Sequence, residues 1–206
     1  QNIFYRRPKT TPNAKFIMMY PGTLNYHQGL DVALRALALI KNQTPNLEFH
    51  IYGGGPQQAN LVKLTQKLAL EDKVFFKDFL PIEQIADTMA RADLGVVPKR
   101  KDTFGNEAFS TKIFEFMSLG VPVVAADTKI DKYYFNDSVI QFFESGNEHD
   151  LARCLLLLRK DASLRQRLAK NGLNLIRKNT WDVHQERYFN LLAELCPQKT
   201  VRKNRY

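Results

Sequence analysis

Phe104-Gly105-Asn106-Glu107-Ala108-Phe109-Ser110-Thr111-Lys112-Ile113-Phe114-Glu115-Phe116-Met117-Ser118-Leu119-Gly120, followed by Val121-Pro122-Val123-Val124-Ala125-Ala126, is the stretch whose reading decides the fold. Ser110 and Thr111 make the first turn of a helix running to Leu119, and Gly120 stops it. Val121 to Ala126 then reads as a strand buried on both faces. Glu107 and Glu115 stand with seven residues between them, one in the loop before the helix and one just over a turn into it. The free N–H groups and positive end of the helix dipole face that loop. An anion can sit on those N–H groups while the carboxylates accept hydroxyl hydrogen bonds on either side. An anion flanked by hydroxyl groups describes a sugar nucleotide. A plainer reading stays open, in which Glu115 pairs with Lys112 on a solvated face and Glu107 is a loop residue.

Working outward, apolar runs alternate with helical periods. Phe16 to Tyr20, Leu47 to Tyr52, Val74 to Phe79, Asp93 to Pro98 and Val139 to Phe143 read as further strands. Leu30, Ala33, Leu34, Leu37 and Ile40 share one helical stripe, Leu61, Leu64 and Leu68 another, and Pro81 opens a helix through Met89. Three helices close the chain: Asp150 to Arg159, Ser163 to Arg177 and Trp181 to Leu195. This alternation predicts an α/β domain, a doubly wound Rossmann-like parallel sheet of about six strands with helices on both faces. Residues 1–15, with Pro8 and Pro12, read as a linker, 16–195 as the domain and 196–206 as a basic tail. Ligands of such sheets bind beyond the carboxyl ends of the strands, where strand order reverses.

Composition narrows the function classes. The chain has 206 residues, 44% of them hydrophobic, and no run approaches the ~20 apolar residues of a membrane span. The N-terminus shows no apolar leader, and Cys154 and Cys196 have no metal-ligand spacing, so a reduced, soluble, cytoplasmic chain is expected. The net charge is +9, from 30 basic and 21 acidic residues. Eight basic residues and no acid lie in 1–15 and 197–206; without them 22 basic residues face 21 acidic ones, a net of +1. A neutral body with basic flanks argues against nucleic acid and fits contact with an anionic membrane surface. Gly53-Gly54-Gly55-Pro56 reads either as a phosphate cradle or as a tight strand-to-helix turn, without the lysine of a P-loop. His27 and His50 read as structural or surface residues. No acidic pair or His/Cys cluster is spaced for a metal, so none is expected, nor any other cofactor. No Gly-x-Ser-x-Gly turn or Cys/His pairing marks a nucleophile.

The two glutamates, with Phe116-Met117-Ser118-Leu119-Gly120-Val121-Pro122-Val123-Val124, resemble the signature of glycosyltransferase family 4, retaining enzymes of GT-B architecture. Gly22-Thr23-Leu24 with Gln28-Gly29-Leu30-Asp31 is similar to that family's first loop. Phe49 to Pro56, Ala92 to Pro98 and Trp181 extend the resemblance over about residues 16–195. It implies the C-terminal, donor-binding half, with an acceptor-binding N-terminal domain elsewhere, acting in cell-surface polysaccharide or glycolipid synthesis. It implies that Glu107 meets the donor sugar as the catalytic residue and that Glu115 holds the ribose. It further implies that N–H groups of Phe109, Ser110 and Thr111 hold the diphosphate, that Gly22 lets it approach, and that the base lies near Phe79 and Leu80. Many family members carry arginine and lysine where Thr23 and Gln28 stand, and those cations contact the diphosphate. Lys99, Arg100, Lys112 and Lys129 are the cations near enough in sequence to replace them. Without a replacement, the fold serves as a non-catalytic nucleotide-binding or assembly module.

Overall fold

The computed structural model describes residues 3–5 and 15–196. Six parallel strands form one sheet: β1 (Phe16–Pro21), β2 (Leu47–Tyr52), β3 (Val74–Lys77), β4 (Leu94–Val97), β5 (Val123–Ala126) and β6 (Gln141–Phe143). Their order is β3-β2-β1-β4-β5-β6, so the sequence direction reverses between β1 and β4. The helices are α1 (Leu30–Ile40), α2 (Gln58–Lys67), α3 (Ile82–Ala90), α4 (Thr111–Ser118), α5 (Lys129–Tyr134), α6 (Glu148–Lys160), α7 (Ala162–Arg177) and α8 (Trp181–Leu195). This is the doubly wound parallel sheet that the alternating pattern predicts.

Two cores explain why the strands are apolar throughout. Side chains alternate across a strand, so Met18 and Tyr20 of β1 enter one core and Met19 the other. In β5, Val124 and Ala126 join the first core while Val123 and Ala125 join the second. Helices α1 and α6 cover the first face, α3 and α4 the second. Helix α7 serves both, giving Leu164 and Leu168 to one and packing Leu175 and Ile176 against the other.

Local chemistry trims the predicted boundaries. β5 starts at Val123 because Pro122 has no N–H to offer the ladder. Val139 and Ile140 return their N–H groups to the Asn136 carbonyl and form a turn, which shortens β6. β3 ends at Lys77, leaving Phe79 in the following loop. Helix α5 is absent from the periodicity reading; it is short, polar, and capped by the Thr128 side chain, which accepts from the Asp131 N–H. No residue of α8 is buried. Among the described residues no helix is long and apolar enough to cross a membrane. The basic tail and residues 6–14 lie outside the described residues, with Arg6, Arg7 and Lys9.

Candidate donor-binding site

The loops after β1, β2 and β4 meet at the carboxyl edge of the sheet, on either side of the reversal. The first two run against each other backbone to backbone. Gly22 N–H donates to the Tyr52 carbonyl at 2.8 Å, and Leu24 N–H to the Gly54 carbonyl at 3.0 Å. Gly53 has a φ of +124°, and a side chain there would meet the Gly22 carbonyl oxygen at 2.1 Å. A Cβ at Gly55 would meet the Leu24 carbonyl at 2.6 Å. The glycine run therefore makes a tight turn whose form is set by backbone approach.

The first loop is also tied to the loop after β4. His27 Nδ1 lies 2.7 Å from Asp102 Oδ2, and its ring packs on Phe104 with centroids 5.0 Å apart. The Gly105 N–H and then His27 hold the Asp102 carboxyl below its ordinary pKa. The Arg100 guanidinium reaches both carboxylate oxygens of Asp31 at 2.7 Å and stacks 4.2 Å from the Tyr26 ring centroid. His27 is thus a clamp between the loops. His50 pairs with Glu48 at 2.9 Å.

Helix α4 delivers the carboxylate. Ser110 is its N-cap and is buried, and no side chain caps the first turn, so the dipole end stays open to a ligand. Ile113, Phe116 and Met117 anchor the helix in the second core, which turns Glu115 and Lys112 toward the sheet edge. There they line a cavity of about 340 Å³, within the range of small-ligand sites. Gly22, Thr111, Lys112 and Glu115 form its polar end; Phe4, Tyr52, Phe79, Leu80, Ile85 and Met89 are among the residues of its wall.

Five of the ten residues expected from the sequence line this cavity: Gly22, Phe79, Leu80, Thr111 and Glu115. Thr23 is exposed, and its carbonyl accepts from the Tyr20 hydroxyl at 2.9 Å. Gln28 ends a single turn of 3₁₀ helix at Tyr26–Gln28. Phe109 turns its ring to Phe114, Tyr134 and Phe135, leaving only its backbone for a ligand. Glu107 borders a separate hollow with Tyr133 and Tyr134, and pairs with Lys129 at 3.2 Å, both side chains exposed.

Three of the four cations near the site, Lys99, Arg100 and Lys129, are engaged in ion pairs. Lys99, buried, reaches Asp131 at 2.9 Å and donates to the Ala108 carbonyl at 2.6 Å, fixing the loop beside Glu107. Lys112 makes no salt bridge among the described residues; its ammonium lies 5.3 Å from the Tyr20 ring centroid. Burial lowers its pKa, Glu115 opposes that shift, and Lys99 adds to it. Sequence reasoning named Lys112 only among several cations and missed Phe4, Tyr52, Ile85 and Met89. Ile85 and Met89 recur at helical spacing, which marks a buried stripe without showing that one end opens on a cavity. Among the described residues no group of His, Cys, Asp and Glu is arranged to hold a metal.

The fold recurs in solved structures. Sucrose-phosphate synthase from Thermosynechococcus elongatus superposes with a TM-score of 0.82 over 94% of this chain and 50% of that one, at 21% identity. Anabaena HepE in complex with UDP gives 0.76 over 87% and 49%, at 23% identity. The sheet with its two helical layers is the Rossmann-like half of a GT-B fold. Among curated proteins, D-inositol 3-phosphate glycosyltransferase of Thermomonospora curvata is 29% identical over 192 residues, which are 88% of this chain and 43% of that relative. The chain thus spans less than half of that relative's length. Residues 1–175 match the family model of the glycosyl transferases group 1, and on that match the chain belongs to that glycosyltransferase family.

Proposed function

We propose that the cavity is the donor site of a retaining glycosyltransferase that moves a sugar from a nucleoside-diphosphate sugar to an acceptor hydroxyl, in cell-surface polysaccharide or glycolipid synthesis. The observation that carries this reading is the shape of the cavity. One end has a carboxylate, an uncapped helix terminus and a glycine backbone; the wall between Phe79 and Met89 is apolar. A base fits the wall, a ribose fits Glu115, and a diphosphate fits the N–H groups from Phe109 to Thr111. The UDP bound to the Anabaena neighbour supports a nucleotide ligand. Glu107 then serves the donor sugar, since its exposed pairing with Lys129 costs little to break.

In this reading residues 16–195 are the donor domain, and the acceptor glycan or glycolipid is held by an N-terminal domain. Catalysis rests on charge stabilisation and positioning, with the acceptor attacking the face from which the diphosphate leaves. The enzyme works in the cytoplasm at the inner face of the membrane, where its basic flanks meet anionic lipid.

Calorimetry of two variants tests the assignment of roles. Glu115→Ala removes a charged acceptor from the ribose and weakens nucleoside-diphosphate binding by roughly 1.5–3 kcal/mol, about one to two decades. Glu107→Ala leaves the bare nucleotide nearly unchanged and weakens only the sugar nucleotide. Equal losses for both variants with the bare nucleotide would refute these roles. No loss in either with either ligand would favour the non-catalytic module.

A further inference from the structure

Of the four cations that the sequence places near the site, three are committed to other partners. Lys99 is buried against Asp131 and the Ala108 carbonyl. Arg100 is held by both oxygens of Asp31. Lys129 lies outside the cavity on Glu107. Lys112 alone of the four lines the cavity. Its side chain leaves the first turn of α4 and crosses the end of β1 directly over Gly22. A Cβ on Gly22 would stand 2.5 Å from its Cε and 3.2 Å from its Nζ. Beyond the Tyr20 ring and the more distant charge of Glu115, the ammonium makes no hydrogen bond or salt bridge among the described residues.

We propose that Lys112 is the cation that binds the diphosphate of the donor and stabilises the charge that develops on the departing nucleoside diphosphate, in place of cations at Thr23 and Gln28. The inference rests on the donor-site reading given above. An ammonium drawn out of water is costly unless an anion meets it. The Tyr20 ring and the field of Glu115 return part of that cost. A diphosphate on the neighbouring α4 amides returns the rest, because ammonium and helix dipole then act on the same oxygens. Gly22 has a second role here: as a glycine it leaves the lysine stem room to pass.

During transfer the bond between the anomeric carbon and the diphosphate oxygen breaks, and its electron pair goes to that oxygen. The acceptor oxygen bonds the anomeric carbon and its proton passes to the departing diphosphate. Lys112 stays protonated and stabilises the oxygen that gains charge.

The test uses the 206-residue chain with UDP, GDP, ADP and their nucleosides, measured by calorimetry and ligand NMR. Lys112→Gln is expected to weaken the diphosphate that the unaltered chain binds by about ten- to a hundredfold while leaving the matching nucleoside unchanged. Lys112→Arg should stay within a few-fold, because charge is kept. Lys112→Met retains the apolar stem over Gly22 and repeats the measurement should the glutamine variant fold poorly. If the unaltered chain binds none of the diphosphates, the donor-site reading falls and this inference with it. If it binds one and neither neutral variant loses affinity, only the role of Lys112 is overturned. Equal loss of nucleoside and diphosphate overturns it too, since that pattern marks a structural lysine.

Discussion

If Lys112 binds the diphosphate as proposed, the ligand shifts its protonation balance. Burial, the largest influence, lowers its pKa from the ordinary 10.5, Glu115 on its own helix raises it, and Lys99 lowers it again. Tyr20, the remaining group against it, stays a neutral phenol because burial raises its own pKa. A bound diphosphate favours the charged ammonium, so the complex holds the proton to higher pH than the free protein does. Affinity is therefore fully present while the ammonium is charged in both states. It falls as pH rises through the depressed pKa of the free chain, below the ordinary 10.5. Lys112→Arg should flatten that fall, since a guanidinium does not titrate there. A diphosphate affinity with the same alkaline slope in both proteins would contradict this account.

At the scale of elements, the loop before α4 depends on a short helix that periodicity does not show. α5 places Asp131 against Lys99, and Lys99 in turn holds the Ala108 carbonyl one residue from Glu107. The pair is almost wholly buried, at 4% and 1% side-chain exposure, and one carboxylate oxygen of Asp131 has no hydrogen-bond partner. Removing one member of such a pair strands the other. Lys99→Met should therefore lower stability by about 3–5 kcal/mol, read from denaturant midpoints. Its effect on nucleotide affinity should be smaller than that of Lys112→Gln, because Lys99 lies outside the cavity. A midpoint unchanged by Lys99→Met would show that the ion pair does not hold the loop.

For the whole molecule, the cavity in the proposed reading takes a donor, while the described residues supply no facing domain for an acceptor. Sugar transfer needs the acceptor oxygen held against the anomeric carbon, and proximity of that kind accounts for much of the rate. The 206-residue chain should bind a nucleoside diphosphate yet transfer no sugar. Incubation with sugar nucleotides and acceptor glycans, followed by mass spectrometry, checks this, and measurable turnover by this chain alone would overturn it. Among the described residues, nothing buries α8, whose apolar Trp181, Phe189 and Leu195 are exposed.

Much of this architecture is written in the sequence because it is local. Runs such as Phe16 to Tyr20 and Val123 to Ala126 are short and apolar throughout, as strands buried on both faces are, and the helical stripes between them point to parallel crossovers. The place of Glu115 follows equally from chain order, since α4 must start at the carboxyl edge beside the reversal. What sequence spacing leaves open is direction. Lys112 and Glu115 stand three apart, and that spacing is the same for a pair in water and for two groups lining a cavity. The anchoring of Ile113, Phe116 and Met117 in the second core decides it, by turning the other side of α4 over Gly22. Which of four nearby cations remains without a carboxylate partner is likewise a tertiary outcome, because Asp31, Asp131 and Glu107 claim the other three from distant positions in the chain.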